Sequence, residues 1–160
     1  MIRVRLPQIT TRGQLQVDSA GRMLMTVYAP VLNTTAARLY VDRDQVIFLN
    51  DIDSTAWRGR PSDLSGNLAA FGNSELPMLL VGLPASGVND VAYAPAGIQS
   101  VQLGDVVVTY NPPVYPPKDV AIDRGAQHVE IQHLDTYADP GPVQAPAIPH
   151  DYRCCVLPQI

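Results

Sequence analysis

Apolar residues recur at every second position at the start of the chain, where Ile2, Val4 and Leu6 alternate with Arg3 and Arg5. A period of two marks a strand with one buried face, and Pro7 suggests its end or an edge. Leu15 and Val17 alternate again before the turn-forming run Asp18-Ser19-Ala20-Gly21. Arg22 to Ala29 resumes with Met23, Met25 and Val27 against Leu24, Thr26 and Tyr28, so the pair reads as a hairpin that is moderately apolar on both faces. Ala37 to Val41 and Gln45 to Asn50 form a second hairpin through Asp42-Arg43-Asp44, where short carboxylates favour a turn. Two successive hairpins predict an antiparallel sheet.

The period changes after Trp57-Arg58-Gly59-Arg60-Pro61. Leu64, Leu68 and Phe71 fall at helical spacing between Ser62, a capping residue, and Gly72, a stop signal. A second short helix is expected to open at Ser74-Glu75-Leu76-Pro77 and to end at Gly82 and Pro84. Met78, Leu79, Leu80, Val81 and Leu83 make it apolar nearly all round, so it should be enclosed. Strand patterns return at Ile98 to Leu103, Asp105 to Tyr110, Asp119 to Asp123 and Gln127 to Leu134, the last two joined at Asp123-Arg124-Gly125. Asn111 to Pro117 reads as a loop. Prolines 140, 142, 146 and 149 make the stretch from Asp139 an extended connector, and Tyr152 to Leu157 reads as an edge strand. The expected organisation is one domain over 1–138, followed by a connector and edge segment over 139–160. The fold class is mainly β, a twisted antiparallel sheet with two short helices.

Composition agrees with this reading. The chain has 160 residues, 46% hydrophobic and 16% charged, with 15 prolines and 11 glycines. Such punctuation suits strands and turns. The net charge of −4 divides into about +3 over Met1 to Arg60 and about −7 over the remainder. The arginines are dispersed, whereas phosphate binding needs concentrated basic surface, so nucleic acid is not an expected partner. No apolar run is long enough for a transmembrane helix, and the first residues are no signal peptide. The chain is therefore cytoplasmic, or an export segment has been removed.

No catalytic constellation emerges. His128 and His133 lie in one expected strand at odd spacing, hence on opposite faces. A metal site would need a further ligand from Glu130, Asp135 or His150, and no metal motif is present. Cys154 and Cys155 are adjacent and staple no distant segments; a vicinal disulfide, a redox pair or incidental use all remain open. The nucleophile-elbow, P-loop and dinucleotide fingerprints are absent. The expectation is no catalytic residue, metal or cofactor, and no enzyme. What remains is an apolar surplus on sheet and helices, which makes either a plain core or a cavity for an acyl chain.

The order of elements, a meander, two short helices and a second meander, resembles the LolA/LolB group of lipoprotein carriers and receptors of the Gram-negative envelope. Arg22 to Asn33 resembles the family strand that runs into a protruding loop. Asp63 to Pro84, closing on Leu79-Leu80-Val81-Gly82-Leu83-Pro84, is similar to its helical insertion. Lys118 to Asp135 looks like the hairpin that follows a proline, and Ile148 to Pro158 like the family's ending. The similarity spans most of the chain in short motifs.

This resemblance implies a half-open β-barrel over the helices, with an apolar cavity that receives lipoprotein acyl chains or phospholipid. The expected lining is Met25, Val27, Leu39, Phe48, Leu68, Phe71, Leu79, Leu80, Val106 and Val108. Val31 and Leu32 match the place of the loop that contacts the membrane in receptor-type members. The implied location is the periplasm or the periplasmic face of the outer membrane, with peripheral membrane contact and a periplasmic carrier or envelope complex as partner. The family begins with a helix and a strand ahead of the strand matched by Ile2, so the expectation is that this part of the barrel is lost or trimmed. The competing reading is an envelope lipoprotein that docks on a partner and binds no lipid.

Overall fold

The computed structural model describes residues 1–5, 10–29, 34–64, 71–73, 75–82, 90–95, 97–135 and 141–154. Its strands are β1 (Ile2–Arg5), β2 (Thr10–Val17), β3 (Met23–Tyr28), β4 (Thr35–Val41), β5 (Val46–Asn50), β6 (Thr55–Gly59), β7 (Asp90–Ala94), β8 (Gly97–Leu103), β9 (Val106–Asn111), β10 (Asp119–Arg124), β11 (Gln127–His133) and β12 (Arg153–Cys154). All join one sheet in the order β12-β6-β5-β4-β3-β2-β1-β11-β10-β9-β8-β7. The protein is mainly β, and the sheet is open. Every neighbouring pair is antiparallel except β12 with β6. Two meanders, β1 to β6 and β7 to β11, thus share one sheet because β11 returns to pair with β1, Val4 facing Ile131.

Period-two alternation sorts the strands onto two faces as expected. On one face Leu15, Met25, Leu39, Phe48 and Trp57 lie side by side across β2 to β6. Val129, Ile122, Val108, Val101 and Val91 do the same across β11 to β7. These rows belong to one apolar cluster, and this face is called inner below. The opposite face of β4 to β6 carries a second cluster of Tyr40, Ile47, Leu49 and Ala56, with Leu24 of β3 packed against it.

Helix α1 (Leu76–Leu80) lies on the inner face, with Leu76 and Leu80 wholly buried. Asn73 shapes its start, since its side-chain Oδ1 accepts from the Glu75 amide at 2.9 Å and its carbonyl from Leu76. Gly82 takes a positive φ of 79° and donates to the Leu79 carbonyl at 3.0 Å, which ends the helix where a glycine is favoured. The helix expected over 62–71 is not seen where it is described. Pro61–Asp63 form a 3-10 turn, and Leu64 is already extended, so no α-helical turn is built on Ser62. Residues 65–70, and Ser74 as the expected cap of α1, lie outside the described residues.

The proline-rich segment carries no regular secondary structure over 141–149 and rests on the outer face. Val143 is buried in the second cluster, with Ile148 and Tyr152 packed against it. Two aspartates hold it there. Asp18 accepts the Val143 amide and the Arg22 guanidinium, at 3.0 and 2.6 Å. Asp51 pairs with Arg38 at 2.7 Å and accepts the Tyr152 hydroxyl at 2.5 Å. The chain then joins β6 as β12.

Burial pushes the Asp51 carboxyl up, but the hydrogen bonds from Arg38 and Tyr152 outweigh it and hold the group below the ordinary aspartate value. A carboxyl depressed in the folded state contributes stability above its unfolded pKa and loses it as pH falls through the folded one. The C-terminal segment should therefore loosen as pH drops below about 3.9. Asp51→Asn should cost about 1–2 kcal/mol at neutral pH and flatten that acid dependence. Hydrogen exchange at the Val143 and Arg153 amides reads both effects, and unchanged protection in the variant contradicts the account.

Candidate functional site

The expected lining residues converge on the inner face. Met25 and Val27 come from β3, Leu39 from β4, Phe48 from β5, Leu79 and Leu80 from α1, and Val106 and Val108 from β9, with Phe71 ahead of α1. All belong to the inner cluster: Val27 and Phe48 are partly buried and the other seven are buried. Leu68, Val31 and Leu32 lie outside the described residues. These side chains and those of α1 form one cluster, so the helix packs on the face on which the lining was expected.

Two polar groups fix α1 there. The last carbonyls of a helix have no partner within it, and on an apolar face they would be costly to leave unbonded. The buried Tyr110 hydroxyl at the end of β9 donates to the Leu79 carbonyl. His133 at the end of β11 reaches the Leu80 carbonyl through Nε2 at 2.8 Å. A carbonyl only accepts, so Nε2 carries the proton. No buried side-chain polar atom is left without a partner among the described residues.

The two histidines point opposite ways, as the odd spacing requires. His133 is partly buried beneath α1, and burial pushes its pKa down against the smaller opposing effect of the Leu80 bond. His128 is exposed, with Nδ1 on Asp123 and Nε2 on Glu130 at 3.0 Å. The hydrogen bonds to Asp123 and Glu130 push its pKa up. Both ring nitrogens of His128 are engaged by carboxylates, and among the described residues no cluster of three His, Cys, Asp or Glu is placed to hold a metal. No helix among them is long and apolar enough to cross a membrane.

Beside the carboxyl end of α1 the inner face opens into a cleft of about 220 Å³, lined by Gly82, Gly97, Ile98, Tyr110, Val114 and Tyr115. Sequence reasoning missed this cleft and the two bonds on α1. Tyr110 was legible as an inward residue, since it continues the alternation of Val106 and Val108. Nothing local in Val114 or Tyr115 shows that their loop packs beside Gly82, where a Cβ would come within 2.8 Å of Pro117.

Comparison with protein-family models and with curated proteins finds no match to the chain.

The histidine geometry gives a solution test. A lowered pKa means that the folded state resists protonation, so His133 disfavours folding progressively as pH falls below its unfolded value of about 6.5. A raised pKa means the reverse for His128, whose contribution is complete below about 6.5 and disappears as pH rises through its folded value. In an NMR titration His133 should protonate below His128, and the opposite order contradicts the arrangement. Tyr110→Phe leaves the Leu79 carbonyl with backbone amides as its donors and should cost about 1–2 kcal/mol in denaturant unfolding.

Proposed function

We propose that this protein binds acyl chains of lipoproteins or phospholipids without catalysis, as a carrier or receptor like those of the LolA/LolB group. It would act in the periplasm or on the periplasmic face of the outer membrane, contacting that membrane peripherally and exchanging cargo with a periplasmic carrier or envelope complex. The observation that carries the reading is an apolar helix enclosed on the apolar face of a long open sheet. A flat sheet covers one side of a helix only, whereas Leu76, Pro77, Leu79 and Leu80 of α1 are all buried. That burial supports a sheet curled around the helix as a half-open barrel. The order of two meanders with a helical segment between them supports the same architecture.

In this reading α1 occupies the place that a hydrocarbon chain takes in the loaded protein. Each methylene removed from water contributes about 0.8 kcal/mol, so a dozen can sustain micromolar binding after the costs of association. Displacing α1 exchanges one set of apolar contacts for another, and the bonds from Tyr110 and His133 are what the incoming chain must break. Val31 and Leu32 then touch the bilayer during transfer.

A second reading, an envelope lipoprotein that docks on a partner and binds no lipid, is favoured by the close packing of the lining residues against α1. Mass spectrometry of the native purified protein separates the two. Acyl lipid recovered near one equivalent supports the carrier, and lipid-free protein that also takes none from vesicles supports the scaffold. Leu32→Glu should impair transfer to acceptor vesicles while leaving binding intact; wild-type transfer by the variant removes the loop from the mechanism.

A further inference from the structure

Among the described residues the expected lining packs with α1, and a cleft opens beside the carboxyl end of that helix. The cleft is bounded by the end of α1, the start of β8, the end of β9 and the loop after it. We infer that this cleft is a subsite for one alkyl chain of a single-chain amphiphile, occupied while α1 stays in place. The inference rests on the acyl-chain reading and adds where a chain first binds and how many chains fit.

Size supplies the first argument. A volume of about 220 Å³ exceeds the roughly 150 Å³ of an engineered apolar cavity that admits benzene. A short run of methylenes therefore fits, and the several chains of a lipoprotein anchor do not. The chemistry of the walls supplies the second. Ile98, Val114 and the rings of Tyr110 and Tyr115 form the walls, glycines 82 and 97 allow the loop of Pro113 and Pro117 to approach closely, and none of the six lining residues is charged. The Tyr110 hydroxyl is already committed to the Leu79 carbonyl, so these walls favour hydrocarbon over a carboxylate or phosphate.

The rim supplies the third. Tyr115 is 65% exposed, and so is Tyr93 at 74%. Tyr93 lies opposite Ile98 across β7 and β8, which puts both on the same face of the sheet. Tyrosine suits a boundary with an apolar body on one side and a wet tip on the other. An alkyl chain in the cleft would leave its polar head among these rings. Because Tyr110 also belongs to the inner cluster, the subsite adjoins the packed centre, and deeper entry requires α1 to move.

The test is photo-crosslinking of the whole protein with dodecanoic acid carrying a diazirine at its methyl end, mapped by peptide mass spectrometry. Adducts on Ile98, Val114 or Tyr115 are expected. Val114→Trp should fill the cleft and weaken dodecanoate binding roughly tenfold, an overpacking penalty of about 1.4 kcal/mol. Where that variant loses its thermal transition, Tyr115→Ala, at an exposed position, takes its place and should weaken binding in the same direction. Adducts confined to Met25, Leu39 or Phe48, or wild-type affinity in a folded cleft variant, overturn the subsite and leave acyl-chain binding standing. Absence of dodecanoate binding and of adducts in the wild type overturns both.

Discussion

The antiparallel pairing of β1 with β11 is the constraint on which the rest depends. Each meander is local, with every strand hydrogen-bonded to its sequence neighbour, and either alone would present an apolar face to water. Pairing Ile2 with His133 and Val4 with Ile131 joins the faces into one. It joins residues near the start of the chain to residues about 130 positions later, so loop closure opposes it. The burial of Val4 and Ile131 in the common core offsets that cost.

Once the halves are joined, α1 has a single place to go. Its burial requires the inner face, and its carboxyl end requires partners for its free carbonyls. Tyr110 on β9 and His133 on β11 provide them because their strands end at the same level of the sheet. The outer face faces the same problem on a smaller scale. The residues there are too apolar for an exposed surface, and the C-terminal segment covers them, held by Asp18 and Asp51. Both aspartates also order a turn or a hairpin of the first meander, so cover and sheet depend on the same side chains.

Ten of the twelve strands were legible, nine because their alternation is strong and their turns carry turn chemistry, and β12 as a short apolar stretch after the prolines. Asp42 shows why such turns read well: its Oδ1 accepts the amides of Asp44 and Gln45 at 2.7 and 2.8 Å. Strands β6 and β7 were missed. Thr55–Gly59 has Trp57 as its one large inward residue, and Asp90–Ala94 alternates alanine with Val91 and Tyr93, so neither shows a sustained period of two. The proline content of residues 141–149 accounts for their lack of helix and strand, but gives no sign that Val143 is buried on the sheet.

The sequence by itself determined which residues share a face, where most strands turn, and that α1 must be enclosed, because these follow from periodicity and local backbone preference. It identified Met25, Leu39 and Val108 as companions on an apolar surface. Only the tertiary structure decided that α1 packs on their surface, that a cleft opens beside Ile98 and Val114, and that His133 serves a helix carbonyl. Those outcomes turn on contacts between segments distant in sequence, such as His133 with Leu80. A period of two says which way a side chain points and nothing about what meets it.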